Sequence, residues 1–468
     1  MNIIIIGAGK VGYNLAENLA SENHSIVIID KNLQVLKRAE ENLDVLCIRG
    51  NGVSTSTLMK AGVSNADLLI AVTDSDEINM VCCLTAKKLK AAHTIARVRD
   101  PEYARELSLL KEQLELEMVI NPELAAADEI AQTLKFPSAI NVESFAKGRV
   151  KMVQFKISND MLILGKPLKE VLHNIDASVL VGLVIRDNEV IVPKGDFIFQ
   201  ENDRIHVIGR TASISSFSQW AGTSPYELKN IMILGGGRIA YYLTNILLDI
   251  GMKVKIIEID KERCLELSEL LPKALIINAD GTDEELLLSE NINDMDAFIA
   301  VTGIDEENLL SSLLVKQKGV KNVISKISRT NYTNIMNNLG IDRTICPKAI
   351  TTNQILKYVR GNNIQALYRI VDGKAEVLEF IADENNKIIN TPLKDIKFKD
   401  DVIIATIVRD DQIIIPHGND TIMSGDRVIV ITKDKNICSL NDLTTGLDGG
   451  IYDELWNGIK KLGDIINM

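Results

Sequence analysis

The strongest constraint on the fold is that the chain writes one plan twice. IIIIGAGKVG at residues 3–12 returns as IMILGGGRIA at residues 231–240. Gly7 and Gly235 are offset by 228, and so are Asp30 and Glu258. The offset becomes 229 for Asn51 and Asp280, Thr73 and Thr302, Asn79 and Asn308, and Arg97 and Lys326. It falls to 223 where RDNEVIVPKG (186–195) matches RDDQIIIPHG (409–418), and Asp203-Arg204 matches Asp426-Arg427 at that same spacing. An offset that drifts without losing order marks a duplicated unit with small loop changes. Whatever one copy folds into, the other must fold into as well.

Each copy changes character part way along. In the first, the apolar runs IIIIG (3–7), SIVIID (25–30), DVLCIRG (44–50), DLLIAVT (67–73) and TIARV (94–98) alternate with helical patterns. Val11, Leu15 and Leu19 recur every four residues, one apolar stripe on a helix. Continuous apolar strands separated by helices predict βαβ units and a parallel, doubly covered sheet. Segments such as VKMVQFKI, SVLVGLVIRD and DRIHVIG are short, β-rich and separated by Asp/Asn/Gly turns. They predict a small α+β domain with a hairpin at Asp187-Asn188. The expected fold is therefore α/β: two Rossmann-like doubly wound parallel-sheet domains, each followed by a small α+β domain. At 468 residues the chain has room for three or four domains. The expected division is 1–137, 138–224, 225–361 and 362–438, with an amphipathic tail at 439–468. The boundaries fall near Pro137, Gly222-Thr-Ser-Pro225 and Gly361-Asn-Asn363.

Composition excludes several classes. The net charge is −12 with no basic block, and nonspecific nucleic-acid binding needs Lys and Arg to neutralise phosphates. None of the six cysteines (Cys47, Cys82, Cys83, Cys264, Cys346, Cys438) forms a C-x-x-C pair, and most sit in apolar segments. Reduced, buried thiols in a cytoplasmic protein are expected, not a disulfide frame or zinc site. With Met1 so close to the first strand, no signal peptide is expected. SVLVGLVI (178–185) is among the longest apolar runs, far from the ~18 residues of a membrane span, so a soluble chain is expected.

In Gly7-Ala8-Gly9-Lys10-Val11-Gly12 each glycine has a task. The first permits a tight turn, the second lets a pyrophosphate approach the backbone, and the third lets helix pack on strand. Phosphates would rest on the free N–H groups at the helix N-terminus. Asp30, ending the second strand, can accept both ribose hydroxyls and repels a 2′-phosphate, favouring NAD(H) over NADP(H). The second copy reads Gly235-Gly236-Gly237-Arg238-Ile239-Ala240 with Glu258 as its acid. A decayed turn kept for packing is the alternative there; the retained acid favours binding at both. Lys10 and Arg238 are either phosphate contacts or solvated helix residues. Thr73-Asp74 and Thr302-Gly303 end the fourth strands, where open sheets place ligands. Arg97 and Lys326 end the fifth, facing either phosphates or neighbouring acids. Asp74-Ser-Asp76-Glu77 and Asp305-Glu306-Glu307 read as helix capping, and no metal is assigned.

A glycine turn of this kind also serves dehydrogenases. Yet the five histidines (His24, His93, His173, His206, His417) do not repeat between copies, none has a partner carboxylate beside the nicotinamide face, and no Tyr-x-x-x-Lys pairing ends a strand. The small second domain is poor in convergent polar residues. A catalyst is disfavoured.

The order GAGKVG…IID, RGNG, AVTDSDEINM, IARV resembles the N-terminal nucleotide-binding module of RCK (regulator of potassium conductance) domains. VIRDNEVIVPKGD…ENDRIHVIG resembles the smaller C-terminal module. Two such pairs without a membrane span, over about residues 1 to 435, resemble the TrkA-type peripheral subunits of Trk potassium-uptake systems. The resemblance implies a nucleotide-sensing regulatory subunit at the inner face of the cell membrane. It would self-associate into a ring, a tetramer, and attach to a potassium-translocating integral membrane protein (TrkH-like). NAD(H), or ATP/ADP, would occupy each N-terminal module. The implied contacts fall on Gly7 to Val11, Asp30, Thr73, Asp74 and Arg97, and on Gly235 to Ile239, Glu258, Thr302 and Lys326; Gly12, Asn51 and Asp280 complete the candidate set. Lys326 in place of an arginine weakens any bidentate phosphate contact. The tail places Ile451, Leu455, Ile459, Leu462 and Ile466 at helical spacing, read as packing on this or a neighbouring subunit. The competing readings are an NAD-dependent dehydrogenase and the detached regulatory subunit of a potassium/proton antiporter.

Overall fold

The computed structural model describes residues 1–105, 115–136, 139–173, 178–222, 228–329, 332–341, 343–360, 364–371 and 373–445. The boundary residues Pro137, 223–225 and 361–363, and the helical pattern of the tail, lie outside these. The strands are β1 (Asn2–Ile6), β2 (Ser25–Asp30), β3 (Leu46–Arg49), β4 (Leu68–Ala71), β5 (His93–Arg97) and β6 (Met118–Ile120). There follow β7 (Asn141–Phe145), β8 (Val150–Lys156), β9 (Val179–Arg186), β10 (Glu189–Ile191) and β11 (Arg204–Gly209). The second copy supplies β12 (Asn230–Leu234), β13 (Lys253–Glu258), β14 (Leu275–Asn278), β15 (Ala297–Ala300), β16 (Asn322–Lys326) and β17 (Arg343–Ile345). It closes with β18 (Ile364–Ile370), β19 (Ala375–Ile381), β20 (Val402–Arg409), β21 (Gln412–Ile414) and β22 (Arg427–Thr432). Described residues within 1–137 and 226–356 form one compact unit, and those of 138–225 and from 357 onward form another.

The first unit holds two six-stranded parallel sheets, ordered β3-β2-β1-β4-β5-β6 and β14-β13-β12-β15-β16-β17. Ile3 to Ile6 are all at most 2% exposed, because helices cover both faces of the sheet. The chain doubles back beside β1, which opens a crevice at the carboxyl ends of β1 and β4, and the same at β12 and β15. β6 and β17 were not foreseen: at three residues each they carry too little periodicity to read.

One helix ties the copies together. Pro122–Leu134 starts on Asn121, whose side chain accepts from the Leu124 N–H, with proline in the first turn. Its Ala126, Ala127, Ile130, Ala131 and Leu134 are buried against Ile231, Tyr241, Leu243 and Leu247 of the second copy. Three alanines in that stripe allow close approach to the helix Arg238–Asp249. The corresponding helix of the second copy, Pro347–Val359, reaches back: the Thr352 hydroxyl donates to Asn14 Oδ1 at 2.8 Å, on the helix Lys10–Ala20. The helix that closes each parallel-sheet domain thus contacts the other copy.

The second unit holds two five-stranded antiparallel sheets, ordered β10-β9-β11-β8-β7 and β18-β19-β22-β20-β21. They share a core in which Leu183 and Ile208 meet Val377, Ile429 and Ile431. Gly182 lets them approach, since a Cβ there would meet Ile431 Cδ1 at 2.4 Å. The expected hairpin joins β9 to β10, with Asp187 at φ 50° and Asn188 at φ 66°, both positive as a two-residue turn of this hand requires. The repeated Arg and Asp are a clamp. Arg186 Nε and Nη2 reach the two oxygens of Asp203 at 2.7 Å each, and Arg409 holds Asp426 in the same way at 2.9 and 2.8 Å. Both carboxylates are buried, so two-pronged pairing is what makes their charge tolerable. Leu440 and Leu443, at the start of the stretch read as tail, lie in the core of the last module. Cys438 is exposed, unlike the buried Cys82, Cys83 and Cys264.

Candidate functional site

Gly7 leaves β1 at φ 101°, and its N–H donates to the Ile29 carbonyl at 2.8 Å. A Cβ on Gly12 would lie 1.8 Å from the Gly7 carbonyl oxygen, so in this copy glycine allows the helix to start this close beneath the turn. Around Gly9 there is nothing within 4 Å of an added Cβ: the turn presents bare backbone to open space. Asp30 reaches back to the turn. Its Oδ2 accepts from the Ala8 N–H at 2.7 Å and its Oδ1 from the Asn32 N–H at 2.8 Å.

These elements enclose a cleft of about 290 Å³. Of the candidate residues, Gly7, Gly9, Asp30, Asn51, Thr73 and Asp74 line it. Ala8, Lys10, Val11, Gly12 and Arg97 do not. Lys10 is exposed at the helix start, and Arg97 is 7% exposed, beneath the cleft. Arg97 Nη2 donates to the Thr73 carbonyl at 2.6 Å and stands 3.6 Å from the Asp74 carboxylate. Burial and the neighbouring Arg99 push its guanidinium pKa down. Arg97 thus braces the strand end and pairs with an acid, the second of its two sequence readings.

The second cleft, about 450 Å³, is lined by Gly235, Gly237, Glu258, Asp280 and Thr302 of the candidate set; Gly236, Arg238, Ile239 and Lys326 lie off its walls. Gly235 has φ 95°, the space around Gly237 is open, and Ala240 is buried where the first copy has Gly12. Glu258 Oε2 accepts from the Gly236 N–H at 2.5 Å and its Oε1 from the Asp260 N–H at 2.8 Å. The second turn therefore keeps the architecture of the first. Lys326 Nζ donates to the Thr302 carbonyl at 3.0 Å, with Gly303 in the place of Asp74. Burial lowers its pKa.

The acidic runs fall in the first turns of their helices, as read, and two of their members do more than that. Ser75 is the N-cap, accepting from the Ile78 N–H at 3.1 Å. Asp76 Oδ2 instead accepts from the Arg99 and Asp100 N–H groups at 2.7 and 2.8 Å, and Asp305 accepts from Ser328 and Arg329. They fasten the loop after the fifth strand, because a carboxylate buried beside it must collect donors. Among the described residues no group of three or more His, Cys, Asp or Glu is placed to hold a metal.

Asn79 and Asn308 match between the copies but carried no legible role. Asn79 is fully buried: its Oδ1 accepts from the Thr73 N–H at 2.7 Å and its amide donates to the carbonyls of Thr73 and Arg97. Asn308 does the same for Thr302 and Lys326. These residues hold the floor of each cleft. A junction between the copies carried no sequence signal at all. Asn121 Nδ2 donates to the Tyr242 hydroxyl at 3.0 Å, and that hydroxyl donates to the Arg99 carbonyl at 2.9 Å. Arg238 Nη2, just inside the second glycine turn, lies 3.9 Å from Asp100 of the first copy. Glu123, in the first turn of the crossing helix, has its carboxyl pKa raised by burial, against the pull of Arg99, Arg97 and Arg238.

Comparison with known proteins settles the kinship. The TrkA-N domain model matches residues 3–122 and 231–347, and the TrkA-C domain model matches 152–222 and 377–444. The chain belongs to the TrkA family. It is 39% identical over 451 residues to the Trk system potassium uptake protein TrkA homolog 2 of Methanosarcina mazei, covering 95% of this chain and all of that one. Against the Trk system potassium uptake protein TrkA of Haemophilus influenzae it is 33% identical over 444 residues, 93% of this chain and 96% of that one. In fold, this TrkA member is similar to a structure described as the GsuK channel bound to NAD, with a TM-score of 0.61, 17% identity, and coverage of 92% of this chain and 76% of that one.

Proposed function

We propose that this TrkA-family chain is the nucleotide-sensing, gating-ring subunit of a Trk-type potassium-uptake system. It binds NAD(H), or ATP/ADP, and controls a TrkH-like membrane potassium translocator from the cytoplasmic side. The names of its relatives and the NAD-bound channel of similar fold support this reading. So does the absence, among the described residues, of a helix long and apolar enough to cross a membrane, which leaves translocation to a partner. One observation carries it: a complete cleft, acid included, is built twice in a unit whose copies pack helix on helix.

The clefts suit a dinucleotide. Gly9 and Gly237 leave room where a side chain would stand, and Asp30 and Glu258 offer carboxylates to ribose hydroxyls. When bound, the nucleotide supplies charge and bulk, and the chain supplies the response. A ligand drawing on Asp30 competes with the Ala8 and Asn32 N–H groups, loosening or re-aiming the turn at the head of Lys10–Ala20. That helix touches Thr352 of the other copy. At the second turn, Arg238 faces Asp100 and Tyr242 bridges to Asn121 and Arg99. Occupancy of either cleft therefore bears on the seam between copies, and the seam biases the assembly only if its states bind the ligand unequally. The nucleotide is sensed and not consumed. Calorimetric titration with NADH, NAD+, ATP and ADP, alongside a screen for NADH turnover, tests this. Saturable binding without turnover supports it, and turnover at catalytic rates with any metabolite defeats it. Co-purification with a potassium-translocating membrane protein, and loss of potassium uptake on deletion, separate this role from that of an antiporter subunit.

A further inference from the structure

The two clefts use matching positions, yet the residues around the acid differ in a consistent direction. Where the first copy has Lys31 and Asn51 on its walls, the second has Ile259 and Asp280. Arg49 pairs in register with Asp30, while Asn278 pairs with Glu258, so a third exchange sits directly beside the acid. On the facing wall, Ile78 of the first cleft is Glu307 in the second. Asp280 accepts bonds from the Thr282 N–H and hydroxyl at 2.9 and 2.7 Å, which hold its carboxyl below the usual carboxylate range and keep it charged.

Two exchanges run the other way, and neither restores the balance. Asp74 becomes Gly303, which leaves Lys326 without the acid that Arg97 faces, but one cation beneath the cleft does not offset the loss of Lys31 and the gain of Asp280 and Glu307. Val35 becomes Arg263, but Arg263 is held by the Gly236 carbonyl at 2.7 Å and by Glu266 at 2.6 Å, and Glu266 itself replaces Arg38. The second cleft thus sets Glu258, Asp280 and Glu307 around its space with no cation on its walls. The first sets Lys31 against Asp30 and Asp74. The second also displays apolar surface: Ile259 is 70% and Ile304 50% exposed on its walls, where the first copy has Lys31 and Ser75.

We propose that the clefts are divided by charge: the first takes the phosphate-rich ligand, a nucleoside triphosphate, and the second a nucleotide of lower charge, such as NADH, with a ring covering Ile259 and Ile304. This rests on the nucleotide-sensing reading above. Each like charge facing a multiply charged phosphate chain across several ångströms weakens binding by roughly threefold to tenfold, less as salt screens it. Apolar surface covered by a flat ring favours the second ligand regardless of its phosphates. Lys31, Asn51 and Ile78, with their counterparts Ile259, Asp280 and Glu307, are the specificity-determining positions.

The test is calorimetric titration of the full chain with ATP and with NADH. Gly9→Val fills the open space of the first cleft and leaves the second to be measured; Gly237→Val does the reverse. The ratio of ATP to NADH affinity is expected to be at least about tenfold higher in the Gly237→Val protein. In the Gly9→Val background, adding Asp280→Asn and Glu307→Ile should tighten ATP by about tenfold at low salt, hold NADH within about threefold, and lose most of its effect at 0.5 M salt. Both substitutions install what the first copy already carries. In the otherwise unaltered chain, the same pair should turn one tight ATP event into two, a measurement that does not depend on either valine variant folding. Equal ratios in the two single-cleft proteins, or no gain in ATP binding from the double substitution, overturn the division by charge while nucleotide sensing stands. Failure of the unaltered chain to bind either nucleotide overturns both.

Discussion

Asp30 shows how a residue legible in sequence acquires a second job in the structure. Its position after β2 marked it as a ribose partner; the structure adds that it also caps the glycine turn through the Ala8 N–H. Asp30→Ala should therefore weaken nucleotide binding at the first cleft, read with ATP, by about tenfold or more, the scale of a lost charge-assisted bond, and unchanged affinity by titration would remove the ribose from this site. The two glycines of the turn separate packing from binding. Gly12→Ala drives a methyl into the Gly7 carbonyl and should cost about 1–3 kcal/mol in denaturant unfolding, whereas Gly9→Ala should leave stability near wild type and still weaken nucleotide binding. His206 carries a different lesson, because its burial was invisible in its letter. It sits in β11 at 2% exposure, its Nδ1 has no hydrogen-bond partner, and burial pushes its pKa down to about 3 from 6.5. The unfolded chain takes up that proton near pH 6.5 while the fold refuses it. Stability is thus intact above pH 6.5 and falls by about 1.4 kcal/mol per pH unit down to about pH 3. At pH 5 the wild type should have lost about 2 kcal/mol relative to His206→Ile, the residue at the matching position Ile429 in β22, as measured by urea unfolding.

Among elements, what could be read was what depends on local pattern. Buried strands of four to six apolar residues, the glycine turns and the Asp187-Asn188 hairpin are each specified within a few residues. The three-residue strands β6 and β17 were not, and Asp76 and Asp305, read rightly in the first turns of their helices, also bond to loops more than twenty residues away, which no local pattern shows. Eleven of the twenty candidates line the clefts, and Arg97 and Lys326 brace the strand ends beneath them, since a motif marks a turn but not which atoms face the space beside it. The helix Pro122–Leu134 is the extreme case. Its alanine stripe reads as a helix, but its partner helix begins more than a hundred residues later. Tyr242→Phe tests how much that seam matters. It removes the hydroxyl that donates to the Arg99 carbonyl and accepts from Asn121, leaving those two only their own longer bond at 3.5 Å, so thermal melting should report a loss of about 1–3 kcal/mol.

For the whole molecule, the expectation is a ring of four chains. Size exclusion with light scattering should give a mass near four times 51.7 kDa, and a mass that stays at one chain with and without nucleotide would remove the ring. Nucleotide at about a hundred times its dissociation constant should stabilise the first unit by about 2.7 kcal/mol per occupied cleft, read as a rise in melting temperature. The helix Pro122–Leu134 lying on the other copy has a consequence for a chain of half this length. Alone it would leave that oily stripe bare, so it is expected to live as a pair of identical polypeptides. Tandem copies guarantee each half its companion. Once a surface no longer had to match itself, mutations could accumulate on one side alone, and the halves became free to specialise.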